Sequence, residues 1–156
     1  MMNNFYKRGI SILEVIVVIA VLCIIAIIVI PQFAKTRENQ VLKTAVADIL
    51  SSINKARSQT LSSLDSSKYG VRFESDKVII FTGTVFSAGA GTNESINITT
   101  PASITNVTLD GSSGTSGDIY FNRLSGSPSK TGTVTISTTS FTKIITIFAT
   151  GVASVD

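Results

Sequence analysis

The 156-residue chain has no histidine and no tryptophan, one cysteine and three prolines, and only 15% of its residues are charged. Without histidine there is no Ser-His-Asp or Cys-His nucleophile, no imidazole general base and no His-containing zinc site. One cysteine excludes a disulfide within the chain and all CxxC chemistry. Charged residues usually form about a quarter of a soluble domain. Their scarcity, with a mean hydropathy of +0.40, argues against a wholly soluble protein. The formal charge of +3 is too small to point to nucleic acid by itself. Catalysis is therefore the weaker expectation, and the sequence assigns no catalytic residue, no metal ligands and no cofactor.

Two further scarcities are local. Glycine is missing between Ile10 and Tyr69, whereas ten of the eleven glycines lie from Gly70 onward. The first stretch reads as helix and the second as strands and turns. Polar residues are nearly missing from Ile10 to Ile30, where 19 of 21 residues are apolar and only Ser11 and Glu14 interrupt. As a helix this segment reaches roughly 31 Å, about the thickness of a bilayer core. Lys7 and Arg8 just before it keep the leader cytoplasmic and send everything after Ile30 to the far side.

Beyond Ile30 the chain is patterned. Leu42, Val46, Ile49, Ile53 and Ala56 recur three and four apart, the signature of an amphipathic helix with one buried stripe. Pro31 predicts a kink or a break near residues 27 to 31. The helix exit is expected around Asp65–Lys68. Beyond it, seven β-prone runs are separated by turn-rich segments: Tyr69–Phe73, Lys77–Thr82, Ser95–Thr99, Asn106–Leu109, Asp118–Asn122, Thr133–Ser137 and Thr142–Phe148. Alternation in Val134-Thr135-Ile136-Ser137 and Ile145-Thr146-Ile147 suggests sheets with one wet face. The expected fold class is α+β, a long N-terminal helix carrying a small antiparallel β head. Its first half is transmembrane and its second amphipathic, with a kink near Pro31. The expected organisation is a leader over 1–9, a membrane or filament-core helix over 10–30, a stalk over 31–68 and the head over 69–156.

The functional signal is Lys7-Arg8-Gly9-Ile10-Ser11-Ile12-Leu13-Glu14. A carboxylate inside an apolar helix costs roughly 2.5–3.5 kcal/mol near a bilayer centre and needs a partner. Cutting after Gly9 would create one, because Ile10 would then carry a free α-amine, roughly 6 Å from Glu14 along the helix axis. That amine invites pairing within the chain or between neighbouring chains packed side by side.

Basic leader, Gly9, Ser11, Glu14, apolar run and Pro31 together resemble the type III leader of type IV pilins and type II secretion pseudopilins. The resemblance implies cleavage between Gly9 and Ile10 by a prepilin peptidase, and N-methylation of Ile10. It further implies storage of the subunit in the membrane, extraction by an inner-membrane assembly platform and motor, and packing with other pilin or pseudopilin subunits. In that scheme Glu14 is the assembly carboxylate that pairs with a neighbour's amine, and Pro31 marks the helix kink. Ile10 departs from the phenylalanine commonest at that position. The implied location is a single pass through the inner (cytoplasmic) membrane with the C-terminal domain outside the cytoplasm, then an extracellular or periplasmic filament. Ala56-Arg57-Ser58-Gln59-Thr60-Leu61 resembles an element at the stalk end of H-type minor pilins and pseudopilins. Ile119–Gly126, Gly132–Ile136 and Ile145–Gly151 are similar to the last strands of that group.

Blander readings stand beside these. An ordinary signal peptide or anchor suits the basic leader, but no convincing A-x-A site lies beyond the apolar run, and a plain anchor has no use for Glu14. Leu22 stands where a lipidated Cys23 would need a small residue, so Cys23 reads as an inert thiol. Solvated strand faces explain the 28 serines and threonines from Thr82 onward better than a nucleophile does. Ala88-Gly89-Ala90-Gly91-Thr92 lacks the G-K-[ST] of a phosphate loop. Glu74, Asp76, Glu94, Asp110 and Asp118 lack calcium-loop spacing. The competing class is a membrane-anchored β-domain that binds a surface ligand or captures DNA. From Asp65 onward, however, six basic residues face seven acidic ones, so only a local patch of Arg72, Lys77 and Arg123 speaks for phosphate contact.

Overall fold

The computed structural model describes residues 11–156. One helix, α1 (Ile12–Leu61), is followed by a short 3₁₀ turn at Leu64–Ser66 and nine strands. These are β1 (Tyr69–Phe73), β2 (Lys77–Thr82), β3 (Glu94–Asn97), β4 (Ser103–Leu109), β5 (Ser112–Gly114), β6 (Gly117–Tyr120), β7 (Gly132–Ser137), β8 (Thr142–Ile147) and β9 (Ala153–Val155). The fold class is α+β, a long N-terminal helix followed by two small antiparallel sheets. The chain divides into two compact units, one ending at Thr36 and the other, the head, comprising Arg37–Asp156.

In the first unit α1 passes through Pro31 without a break, so of the kink or break expected near residues 27 to 31 the break does not occur. Proline there removes one N–H and crowds one carbonyl, a local loss. The backbone stays helical on both sides of it, over residues 24–30 and 32–36.

The head is built on the second half of α1. The stripe read from the sequence, Leu42, Val46, Ile49, Ile53 and Ala56, is buried in full, joined by Ala45, Ser52 and Thr60. It packs into one apolar core with Val71, Phe73, Ile80, Ile104, Ile119, Val134, Ile136, Ile145 and Ile147. One sheet has the order β3-β2-β1-β6 and the other β5-β4-β7-β8-β9, every pairing being antiparallel.

β7 keeps the alternation seen in the sequence, with Val134 and Ile136 buried between partly exposed threonines. β2 departs from it, since Val78, Ile79, Ile80 and Phe81 are all buried. On its outer side Phe81 sits opposite Gly70, where a Cβ would meet the phenyl ring. Phe86, from the loop after β2, closes edge-on over Phe81 at 5.7 Å and 70°. A missing side chain on one strand and a folded-back loop thus dry a face that would otherwise be wet.

α1 ends without glycine. Ser63, Asp65 and Ser66 all take left-handed backbone angles near +50°, where glycine is the usual occupant. Thr60 binds this exit to the sheet. Its fully buried hydroxyl donates to the Ala56 carbonyl at 2.9 Å and accepts the Tyr69 N–H at 2.9 Å. The helix end and the start of β1 therefore share one side chain.

Candidate functional site

Every residue from 11 to 37 is exposed, including an almost unbroken run of valine, leucine and isoleucine from Ile12 to Ile30. A soluble monomer rarely presents so large a contiguous apolar surface. The helix is long and apolar enough to cross a membrane.

Glu14 lies in the first turn of α1. Ser11 immediately precedes the helix, and its carbonyl accepts the Val15 N–H at 3.2 Å. Ser11-x-x-Glu14 has the spacing of a capping box, and a carboxylate is favoured at that end of the helix dipole. Glu14 shares a shallow recess of about 230 Å³ with Val15, Val18 and Ile19, and among the described residues it has no ion-pair partner. Gly9 and Ile10, the cleavage and methylation positions, lie outside the described residues. Cys23 is a free thiol exposed on the same apolar helix.

The basic candidates in the head are engaged locally. Arg72 pairs with Asp118 at 3.2 Å and Glu74 at 3.7 Å, and Lys77 reaches the same Glu74 at 3.5 Å. The Arg72 guanidinium also lies 5.4 Å from the Phe86 ring. Arg123 donates to the Ser66 carbonyl at 2.9 Å. Two of the three cations are therefore neutralised by carboxylates, which is poor geometry for gripping a phosphate backbone. A recess of about 320 Å³ opens beside Arg72 and Asp118 and also takes in Asp110, Lys130, Ser112 and Ser116. Its acids and bases balance. Among the described residues no group of three or more His, Cys, Asp or Glu side chains is placed to hold a metal ion.

Arg57 has a role that only the fold reveals. Its Nε donates to the Gly126 carbonyl at 3.1 Å and its Nη2 to the Thr150 carbonyl at 3.2 Å, so one planar fork ties two loops to the end of α1. Both loops need glycine at the contact. Gly126 (φ +64°) and Gly151 (φ +80°) take left-handed backbone angles, and a Cβ on Gly151 would collide with the Gly126 carbonyl. The pattern Arg57…Gly126…Gly151 is spread over nearly a hundred positions, and no local spacing announces it. Nearby, Tyr69 donates its phenol to Asp65 at 3.3 Å. Burial of the ring, reinforced by the Asp65 charge, raises its pKa above the ordinary value near 10.

No protein-family model, no curated protein and no solved structure matches the chain.

Proposed function

We propose that this chain is a structural subunit of a type IV pilus or a type II secretion pseudopilus. A prepilin peptidase removes the leader after Gly9, and the subunit assembles through its N-terminal helix. One observation carries the reading: an apolar helix exposed on every residue from 11 to 37 bears, in its first turn, a carboxylate with no ion-pair partner among the described residues. Such a surface requires cover. A membrane supplies it before assembly, and neighbouring helices supply it afterwards.

Glu14 provides the selectivity. An unpaired carboxylate in hydrocarbon costs roughly 2.5–3.5 kcal/mol, and pairing with the α-amine of an adjacent processed subunit removes that cost. The penalty and its relief together favour the register in which amine and carboxylate meet.

N-terminal mass spectrometry of the mature protein is the test. The expected chain begins at Ile10, carrying one methyl group. A chain that still begins at Met1 supports the competing reading of a membrane-anchored β-domain, and one that begins beyond Pro31 identifies a removed signal peptide. Glu14→Ala should leave membrane insertion intact and lower incorporation into filaments roughly a hundredfold, the equivalent of the carboxylate's pairing energy. Normal incorporation of that variant would remove Glu14 from the mechanism.

A further inference from the structure

Beyond Phe33, seven large hydrophobic residues are exposed. Leu124 lies in the Gly126 loop and Phe148 and Val152 in the Thr150 loop, the two loops that Arg57 ties down, and Leu61 is one helical turn beyond Arg57 on α1. Leu124 is the extreme case. It is 93% exposed and sits at φ +72°, a conformation that a bulky side chain rarely adopts. An apolar residue in water and a leucine in left-handed backbone are separate costs, and strain of this kind gathers at functional surfaces.

The loop holding Leu124 is built to keep that geometry. Asn122 N–H donates to the Ser127 carbonyl at 2.8 Å, and Gly126 N–H donates to the Asn122 carbonyl at 2.9 Å. Ser125 and Ser127 hydroxyls meet at 2.8 Å, and Arg57 fixes Gly126 from below. The loop backbone is thus held on both sides of Leu124, whose side chain stands out as an apolar knob.

The same head carries a receptacle. A recess of about 170 Å³ is lined by the apolar Val41 and Ala45 together with Gln40, Thr44, Asp48 and Thr99. It lies about 20 Å from the Arg57 fork along the α1 axis. The charges beside the two features are complementary. Arg123 adjoins the knob with one donor held by Ser66, and Asp48 of the recess has no ion-pair partner among the described residues. Knob and recess are different surfaces of one chain, so their union is heterologous and propagates as an open series instead of closing into a symmetric dimer.

We propose that Leu124 docks into the Val41–Ala45 recess of a second copy of this chain. The inference rests on the filament reading and deepens it, adding a head-to-head contact to the packing of the N-terminal helices.

The test uses full-length protein in a Cys23→Ala background. Leu124→Cys and Thr44→Cys are placed in separate, differently tagged copies and co-expressed, and filaments or membranes are mildly oxidised. Mixed-tag dimers are expected, with symmetric dimers from either single variant absent. Only 124-to-124 dimers, or cross-links only to another protein, would overturn the proposal. Leu124→Asn separates docking from folding, because asparagine tolerates the left-handed region. This variant should melt no lower than the parent yet enter filaments roughly tenfold or more less often. Undiminished entry refutes the docking. The N-terminal mass of the parent protein is measured in parallel. Processed filaments without the 124-to-44 link overturn this inference alone, whereas an intact Met1 start overturns the filament reading itself.

Discussion

Replacing Arg57 by lysine keeps the charge and removes the fork. Arginine offers two N–H groups in a fixed plane, one to Gly126 at 3.1 Å and one to Thr150 at 3.2 Å. A lysine ammonium is a point donor on a shorter reach and holds at most one of the two carbonyls. A hydrogen bond from a charged donor contributes about 1.5–3 kcal/mol. The bond to Thr150 is solvent-exposed and that to Gly126 half-buried, so the low end applies and the expected loss is about 1–2 kcal/mol. For a domain of this size that lowers Tm by roughly 3–10 °C. The assay is thermal unfolding of the full chain in detergent micelles, with hydrogen exchange read over residues 122–127 and 148–152. Exchange should quicken in those two loops and nowhere else in the head. Lys55→Met is the comparison. Lys55 meets Glu94 at 2.6 Å, but about half of each side chain is in water, so its removal should cost under about 1 kcal/mol. An Arg57→Lys protein that melts within a degree of the parent, with unchanged exchange in both loops, refutes the fork as a structural clamp.

Thr60→Val preserves shape and deletes the acceptor for the buried Tyr69 N–H. An orphaned N–H costs about 1–3 kcal/mol, so urea unfolding should show that loss with m unchanged. A change below about 0.5 kcal/mol would mean the amide has found another partner. Tyr69 gives a pH dependence of defined sign. Its raised pKa means the folded state holds the phenol proton more tightly than the unfolded state. That contribution is fully present below about pH 10 and is lost as pH rises through the folded value. Denaturation midpoints between about pH 9 and 11.5 should therefore fall more steeply for the parent than for Tyr69→Phe, and parallel curves would discount the coupling.

Much of this fold is legible in the sequence because its signals are local. Period-three-and-four spacing marked Leu42, Val46, Ile49, Ile53 and Ala56, all of which the core buries. β1 and β2 begin and end where their β-prone runs do, and five further strands fall within a few residues of theirs. The two strands missing from that reading, β5 and β9, have three residues each. Ser112-Ser113-Gly114 has no apolar alternation to betray it and is a strand only because it pairs with Val107–Leu109. Its turn was detectable all the same. Asp110-Gly111, with φ of +49° and +81°, is a dipeptide that favours tight hairpins. The division into two sheets was not readable, because strand order depends on which edges meet in space.

The candidate site divides along the same line. Glu14 stands out in sequence because a charge in an apolar run violates the local pattern, and that violation survives any fold. Arg57 and Leu124 violate nothing locally. An arginine on a polar helix face and a leucine between two strands are ordinary residues in one dimension. They become unusual when the fold sets Arg57 against two glycine-bearing loops and leaves Leu124 strained in water. Strain and exposure are properties of position, and residue type alone does not encode them. A composition poor in histidine, cysteine and charge indicates which chemistry to set aside. Candidate contact surfaces are found by asking which side chains the folded chain leaves with an unmet cost. By that measure two places stand out: the carboxylate on the bare apolar helix and the exposed leucine in the loop between β6 and β7.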